Sequence, residues 1–416
     1  MENKLVDHLF RHQFGKMVSI LVRIFGMQHL ETIEDAIQDT FVTALKSWKT
    51  QMPENPEAWL TTAAKNRVVD LFRKINSEQD RSIKFQSGIS SIGISEMFLD
   101  HQIEDSQLRM IFTACHPDLN PKDQIAFALK TISGFSPKEI ATALLTPVDS
   151  VKKRLQRARK TIVSKNIEFE IPQGKQLNAR IDRVMEVLYL IFNEGFHSSK
   201  KEILLRKELC GEAMRLSTML LKKETLRNDK LYALFALMCF HTSRLESKIG
   251  NDNEIISIKH QDRALWNMQL IFLGNDAMNN AVKDNYEFSS YHYEAAIASE
   301  HLRAESFKST DWKIILKWYR ALFELQNSQG TLLNIAIVHL QLQEYKEAKI
   351  TLDSIDVNGM AQRSYLYFAT MAEFHHSTAD TKLALENIDK AIELVSNKFE
   401  KKHFEEKKAE YLMRNI

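Results

Sequence analysis

Ser150, Lys153, Gln156 and Arg157 recur at spacings of three and four, so a helix would place them on one side. Lys152, Arg154, Arg159 and Lys160 flank that side, and no acid follows Asp149 until Glu168. Lys, Arg and Gln are side chains that hydrogen-bond base edges in the major groove, while flanking cations meet phosphates. A surface without carboxylates adds no local repulsion toward DNA. The chemistry these residues point to is recognition of duplex DNA. A solvated basic helix face is the plainer reading of a charge run taken alone.

Such a helix must be held by neighbours, and the preceding residues read as its support. Ser136 stands three residues before Glu139, with Pro137 between, which is a capping box with proline at the first helical position. Ile140, Ala143 and Leu144 make that helix apolar on one side. Thr146-Pro147 ends it and starts the next, with Thr146 as the expected N-cap and Asp149 three residues on. Val151, Leu155, Ala158 and Ile162 then form the stripe that would pack on the first helix. Two capped helices joined at a tight turn make a helix-turn-helix.

The chain around this motif has 416 residues and a formal net charge of +2, so the charge of the motif is local. Apolar residues make up 44%, and the chain has only 12 Gly and 7 Pro. That composition supports real cores and leaves too little turn material for a β fold, so an all-α protein is expected. The start, MENKLVDHLFRHQF, lacks the pattern of a signal peptide. No apolar run reaches membrane-spanning length, and LYALFALMCF (231–240) reads as a buried helix. Cys115, Cys210 and Cys239 are scattered, which argues against a disulfide framework or structural zinc and for a cytoplasmic protein.

Residues 5–75 read as three helices. In ETIEDAIQDTFVTALKSW one side carries Ile33, Ala36, Ile37, Thr40, Phe41, Ala44 and Leu45. KTQMPENP breaks the pattern, and EAWLTTAAKNRVVDLFRK resumes it, turning basic at its end. Residues 76–106 read as a linker, with helical patterning resuming at Leu108, and IEFEIPQGKQ (167–176) is a second boundary. Everything beyond about residue 178 reads as helix.

DAIQDTFVTALKSW, NPEAWLTTAAKNRVVDLFRK and the helix-turn-helix, in that order, resemble the two-domain core of bacterial extracytoplasmic-function sigma factors over roughly residues 5–165. The resemblance implies a sigma region 2 over 1–75, a linker over 76–106 and a region 4 over 107–166. It further implies partnership with core RNA polymerase, through the β′ clamp helices and the β flap, and with promoter DNA. Asp35, Gln38, Asp39 and Phe41 match the helix that docks on the clamp in this family; the acids read equally well as solvating the helix. Lys49, Gln51 and Asn55 match the loop that receives an extruded minus-ten base, and Asn66, Arg67, Arg73 and Lys74 match the melting helix. Trp59 reads as a stacking platform or, more commonly at such a position, as core. In the same reading Ser150, Lys152, Lys153, Arg154, Gln156 and Arg157 face the minus-thirty-five element.

The likeness continues into the subgroup of these factors with a long C-terminal extension of tetratricopeptide-like helices, here 177–416. It implies an extension that regulates the factor in place of a separate anti-sigma factor, through contact with the sigma core or the polymerase. Unaided, the residues show a degenerate repeat. Ala336, Tyr345, Ala348 and Leu352 fit a tetratricopeptide pattern, and Ala372, Ala384 and Ala391 fit comparably. Ala348 and Ala384 are 36 residues apart, against a period of about 34. A generic helical array fits as well.

Cys115-His116 has no second ligand pair nearby, Asn193-Glu194-Gly195 reads as a helix end with Gly195 at C′, and His375-His376 reads as an exposed turn. No phosphate loop, nucleophile elbow or supported carboxylate pair occurs, so no enzyme, cofactor or metal is expected. Two rivals remain on sequence grounds. A free-standing helix-turn-helix regulator with a helical sensor array leaves DAIQDTF without a role, and a pure interaction scaffold leaves the basic helix unexplained.

Overall fold

The computed structural model describes residues 2–78, 99–144, 146–196, 205, 207–250, 256–283 and 287–413. Among these the chain is helical throughout, with 18 α-helices, short 3-10 turns and no strand. It divides into two compact units, Met1–Ile191 and Phe192–Ile416.

The first unit opens with α1 (Glu2–Phe25), α2 (Leu30–Ser47) and α3 (Pro56–Glu78). Of the expected stripe of α2, Ile33, Ala36, Ile37, Thr40, Phe41 and Ala44 are buried and Leu45 is half-buried; Phe14, Val18 and Leu21 of α1 and Leu60, Ala64 and Val68 of α3 are buried as well. The next group is α4 (Asp100–Ala114), α5 (Pro121–Thr131), α6 (Pro137–Ala143) and α7 (Val148–Ser164), followed by α8 (Lys175–Phe196). α4 begins eight residues before the expected resumption at Leu108; its first turns carry Asp100, Glu104 and Asp105, so polarity hid the period. The remainder of the expected linker, residues 79–98, lies outside the described residues.

Local chemistry explains the starts. Asn120 caps α5 by accepting from the Lys122 N–H, with Pro121 at the first position. Ser136 and Glu139 form the complete capping box of α6. The expected Thr146 cap is not formed: Pro147 is the N-cap residue of α7 and no side chain caps it. Thr146 instead accepts a long 3.5 Å hydrogen bond from Arg154 Nη2. Proline fixes φ and carries no N–H, so it takes the cap position by conformation alone.

α1–α3 and α4–α7 are not separate bodies. Gly15 of α1 lies against the backbone of Ile132, just past α5, so closely that a Cβ there would sit 1.9 Å from the Ile132 carbonyl oxygen. Arg23 of α1 donates to Gln102 Oε1 at 2.9 Å and Ser106 Oγ at 3.3 Å and pairs with Asp105 at 3.3 Å, all on α4. Lys130 lies over the Phe14 ring at 4.9 Å.

The second unit carries α9 (Lys207–Lys222), α10 (Asp229–Thr242), α11 (Met268–Ala281), α12 (Ser290–Arg303), α13 (Trp312–Leu325), α14 (Gln329–Gln341), α15 (Tyr345–Asp353), α16 (Ser364–Ser377), α17 (Thr381–Leu394) and α18 (Lys398–Met413). The apolar run 231–240 is the buried body of α10. α11 comes so near it that a Cβ on Gly274 would meet Phe240 at 2.5 Å.

α14–α15 and α16–α17 repeat one another at 36 residues. Ala336, Ala348 and Leu352 share a core, and Ala372, Ala384 and Ile388 share the next. Gln343 and Ala379 both take a positive φ of 60° at the turn. The following amides, of Glu344 and Asp380, then donate to the carbonyls of His339 and His375. That is the six-to-one bond of a Schellman C-cap.

Two expectations fail here. His375 is buried inside α16, and His376 stacks on Tyr411 at 4.3 Å, so the pair is not an exposed turn. Gly195 is not a C′ residue, because α8 runs on to Phe196. A glycine inside a helix costs only about 1 kcal/mol, and Phe192 and Phe196 stack across it in α8; at the histidines, the rings of Phe374 and Tyr411 give each imidazole a neighbour.

Candidate nucleic-acid interface

α6 and α7 cross as a helix-turn-helix, and α7 is held by the four residues expected of it: Val151, Leu155, Ala158 and Ile162 are buried. The opposite side is therefore turned outward. Lys152, Lys153, Gln156 and Arg157 are exposed, with Ser150 and Arg154 partly covered. Asp149 meets Lys152 at 3.8 Å across exposed positions, a weak pair.

Beside α7 lies a groove of about 620 Å³, whose walls include Lys122 and Asp123 of α5 and Lys153, Arg154, Arg157 and Lys160 of α7. Cations predominate on those walls. Arg157 is bound to Asp123 in a fork: Nε donates to Oδ2 at 3.0 Å and Nη2 to Oδ1 at 2.8 Å. Asp123 is nearly buried while Arg157 remains 60% exposed. Sequence reading missed Asp123. It sits in the first turn of a capped helix, 34 residues from Arg157, and no local pattern joins the two.

The remaining expected residues gather on the first bundle. Asp35 and Asp39 are exposed on α2, and Gln38 is half-exposed. Phe41 is 3% exposed and meets the Phe10 ring edge-on at 4.9 Å, so it supports the helix from within and is not on its outer surface. Asp39 Oδ2 accepts from Arg67 Nη2 of α3 at 2.6 Å, joining a residue matched to the polymerase side with one matched to the DNA side.

Lys49 and Gln51 are exposed in the segment between α2 and α3. Asn55 is exposed too, but its Oδ1 accepts from the Ala58 N–H and so caps α3, a bond that does not use the amide NH2. Asn66 and Lys74 are exposed on α3, while the side chain of Arg73 lies outside those described. Trp59 is half-buried with its ring 5.5 Å from Trp48, in an edge contact. Trp48 itself is buried, and its Nε1 is one of the buried groups with no hydrogen-bond partner.

One further cation of α7 faces inward. Arg159 donates to Glu34 Oε2 and lies 3.5 Å from Glu31 Oε1, both on α2. Glu34 is 2% exposed, and burial pushes its carboxyl above the usual range against the pull of Lys130 and Arg159. Cys115, Cys210 and Cys239 are buried and form no disulfide, and burial pushes the Cys115 and Cys239 thiols up to about 12, away from the reactive thiolate.

Residues 9–78 match the family model of Sigma-70 region 2, and residues 109–162 match that of Sigma-70, region 4. The chain is 25% identical over 156 residues to the ECF RNA polymerase sigma factor SigE of Mycolicibacterium smegmatis (strain ATCC 700084 / mc(2)155), covering 38% of this chain and 59% of that protein. It is 29% identical over 153 residues to the ferric citrate uptake sigma factor FecI of Escherichia coli (strain K12), covering 36% of this chain and 85% of that one. The chain belongs to the extracytoplasmic-function sigma factors.

As a sigma factor it directs RNA polymerase to promoters. α1–α3 are its region 2, and α4–α7 are its region 4 with the helix-turn-helix. A longer likeness passes beyond them: 30% identity over 354 residues, 84% of this chain, to the uncharacterized protein R00370 of Rhizobium meliloti (strain 1021), of which it covers 82%. Within the extension, residues 180–282 match a family of unknown function (DUF6596). No solved structure matches the chain. Among the described residues no helix is long and apolar enough to cross a membrane.

Proposed function

We propose that this sigma factor docks on the β′ clamp helices of core polymerase through the outer side of α2, with Asp35, Gln38 and Asp39 in contact, and on the β flap through region 4. Carboxylates and an amide on an exposed helix side suit a basic partner surface. The segment after α2, with Lys49, Gln51 and Asn55, receives a minus-ten base, and Asn66, Arg67, Arg73 and Lys74 hold the strand. α7 lies in the major groove of the minus-thirty-five element. The observation carrying this reading is the outward row of Lys153, Gln156 and Arg157 on a helix whose other side is fixed by four buried apolar residues.

The extension is a tetratricopeptide-like array that regulates the factor in cis, and the protein works in the cytoplasm without catalysing a reaction itself. Support comes from its attachment. Arg109 Nη1 of α4 donates to the carbonyl of Phe169 at 3.4 Å, and Thr113 Oγ1, which donates to the Arg109 carbonyl at 2.8 Å, lies 3.4 Å from the carbonyl of Glu168. The chain that leaves α7 is thus held against region 4 before α8 begins.

Transcription by sigma-free core polymerase from genomic fragments tests both parts. Adding the full chain should give specific new transcripts. A chain ending at Phe196, which keeps α8 whole, should change their level. No transcript together with no binding to core polymerase would overturn the docking reading; equal transcript levels from both chains would overturn regulation by the extension.

A further inference from the structure

The side-on edge of the Arg157 guanidinium, formed by Nε and Nη2, is fully used by Asp123. That leaves Nη1 and one N–H of Nη2, the end-on edge, and no other partner of Arg157 occurs among the described residues. An end-on pair of N–H groups matches the O6 and N7 acceptors of guanine. A charge-assisted fork fixes the plane of a guanidinium as well as its position. Asp123 is suited to that task. It is nearly buried, it sits in the first turn of α5 where the helix dipole favours its charge, and both its oxygens go to Arg157. The pair stands on the wall of the cationic groove that runs beside α7.

We propose that Asp123 is a specificity-determining positioning residue: it holds Arg157 so that its end-on edge is presented to one guanine of the minus-thirty-five element. This rests on α7 reading that element. Without Asp123 the guanidinium is free to rotate, and it meets a phosphate or a base acceptor of any pair with similar ease. The charge of Asp123 itself repels DNA, so its loss raises sequence-independent affinity while lowering discrimination. These two effects have opposite signs, which separates positioning from the alternatives.

The test uses the full chain with core polymerase, on a promoter mapped by its own transcripts and on single-pair variants across its minus-thirty-five element. With the unaltered chain, one G·C pair should depend on Arg157: Arg157→Ala flattens discrimination there by about tenfold or more, the range of a bidentate base contact. Asp123→Ala should flatten discrimination at that same pair by about tenfold and at no other, with transcription of the variant promoter maintained or raised. Asp123→Asn, which keeps the size and one acceptor, should fall between. The double variant Asp123→Ala/Arg157→Ala should match Arg157→Ala alone.

A uniform fall over all promoters would make Asp123 a structural tie between α5 and α7, and a uniform rise would make it a counter-charge; either overturns the proposal. Thermal melts of both Asp123 variants identify a folding failure, and Asp123→Asn then decides. If Arg157→Ala leaves every variant's ranking unchanged, the failure lies with the reading of α7 itself.

Discussion

Arg159 of region 4 and Glu34 of region 2 are bonded to each other 125 residues apart in sequence, with Lys130 adding its charge to the same carboxylate. Glu34 Oε1 and Arg159 Nε are buried there without hydrogen-bond partners. The contact fastens α7 to α2, the helices that carry the proposed minus-thirty-five row and the proposed docking acids. The two promoter elements lie about 25 base pairs apart by their names, about 85 Å at 3.4 Å per step. One rigid body with α7 against α2 does not span that distance. Dyes placed on exposed positions of α3 and α7 should therefore show a short separation in the free chain and a long one in the promoter complex. An unchanged separation would show that regions 2 and 4 stay joined.

Removing the Glu34 charge should be costly. Glu34→Gln removes the only buried counter-charge of Arg159 and Lys130 among the described residues, leaving Arg159 the exposed Glu31, and breaking a buried pair in this way costs about 3–5 kcal/mol. Glu31 is 73% exposed, so Glu31→Gln should change stability by under about 1 kcal/mol. Urea unfolding of the two variants compares them directly, and equal losses would contradict the burial argument.

Gly15 offers an uncharged probe of the same junction. Its missing Cβ is what lets α1 lie on the Ile132 carbonyl. Gly15→Ala gains helix propensity of about 1 kcal/mol inside α1 but must push two backbones apart. Overpacking of this kind costs about 1–3 kcal/mol, so a net loss of stability is expected, together with a wider region 2 to region 4 separation in the free chain. A stabilised variant with unchanged separation would show that the two helices do not meet there in solution.

The groove predicts a salt effect. Lys153 and Lys160 stand on its walls with their cations exposed, where they suit phosphates. Lys160→Ala should weaken promoter binding by the holoenzyme about equally for all minus-thirty-five variants and reduce the slope of log affinity against log salt by about 1. A change in promoter preference instead would make Lys160 a base reader.

The extension should carry a histidine-dependent sensitivity to acid. Burial, with Arg244 and Arg263 nearby, pulls His301 down to about 4, and its Nδ1 is buried without a partner. The unfolded chain binds this proton near pH 6.5, the folded chain only near 4, so the contribution is whole above 6.5 and is lost as pH falls toward 4. The loss amounts to at most about 3 kcal/mol. Urea midpoints at pH 7.5 and 4.5 should differ less in His301→Asn than in the unaltered chain. An equal difference would remove His301 from the acid response.

Local order was legible in the residues. The capping box at Ser136, the stripe of Val151, Leu155, Ala158 and Ile162, and the inward side of α2 follow from period and hydrogen-bond chemistry within a few turns, and all are found where the spacing places them. The same holds for the 36-residue recurrence of small residues at Ala336 and Ala372 and at Ala348 and Ala384. Thr146 misled because a cap depends on one turn's dihedral angles, and Pro147 sets those itself. Phe41 misled because a motif match does not say which side of a helix faces out.

Tertiary structure alone decided which charges meet. Asp123 with Arg157, Glu34 with Arg159 and Asp39 with Arg67 are pairs 28 to 125 residues apart, and each joins different helices. Periodicity fixes the side of a helix on which a charge lies. The partner it meets depends on how two helices cross, and in this protein that is set by such contacts as Gly15 on Ile132.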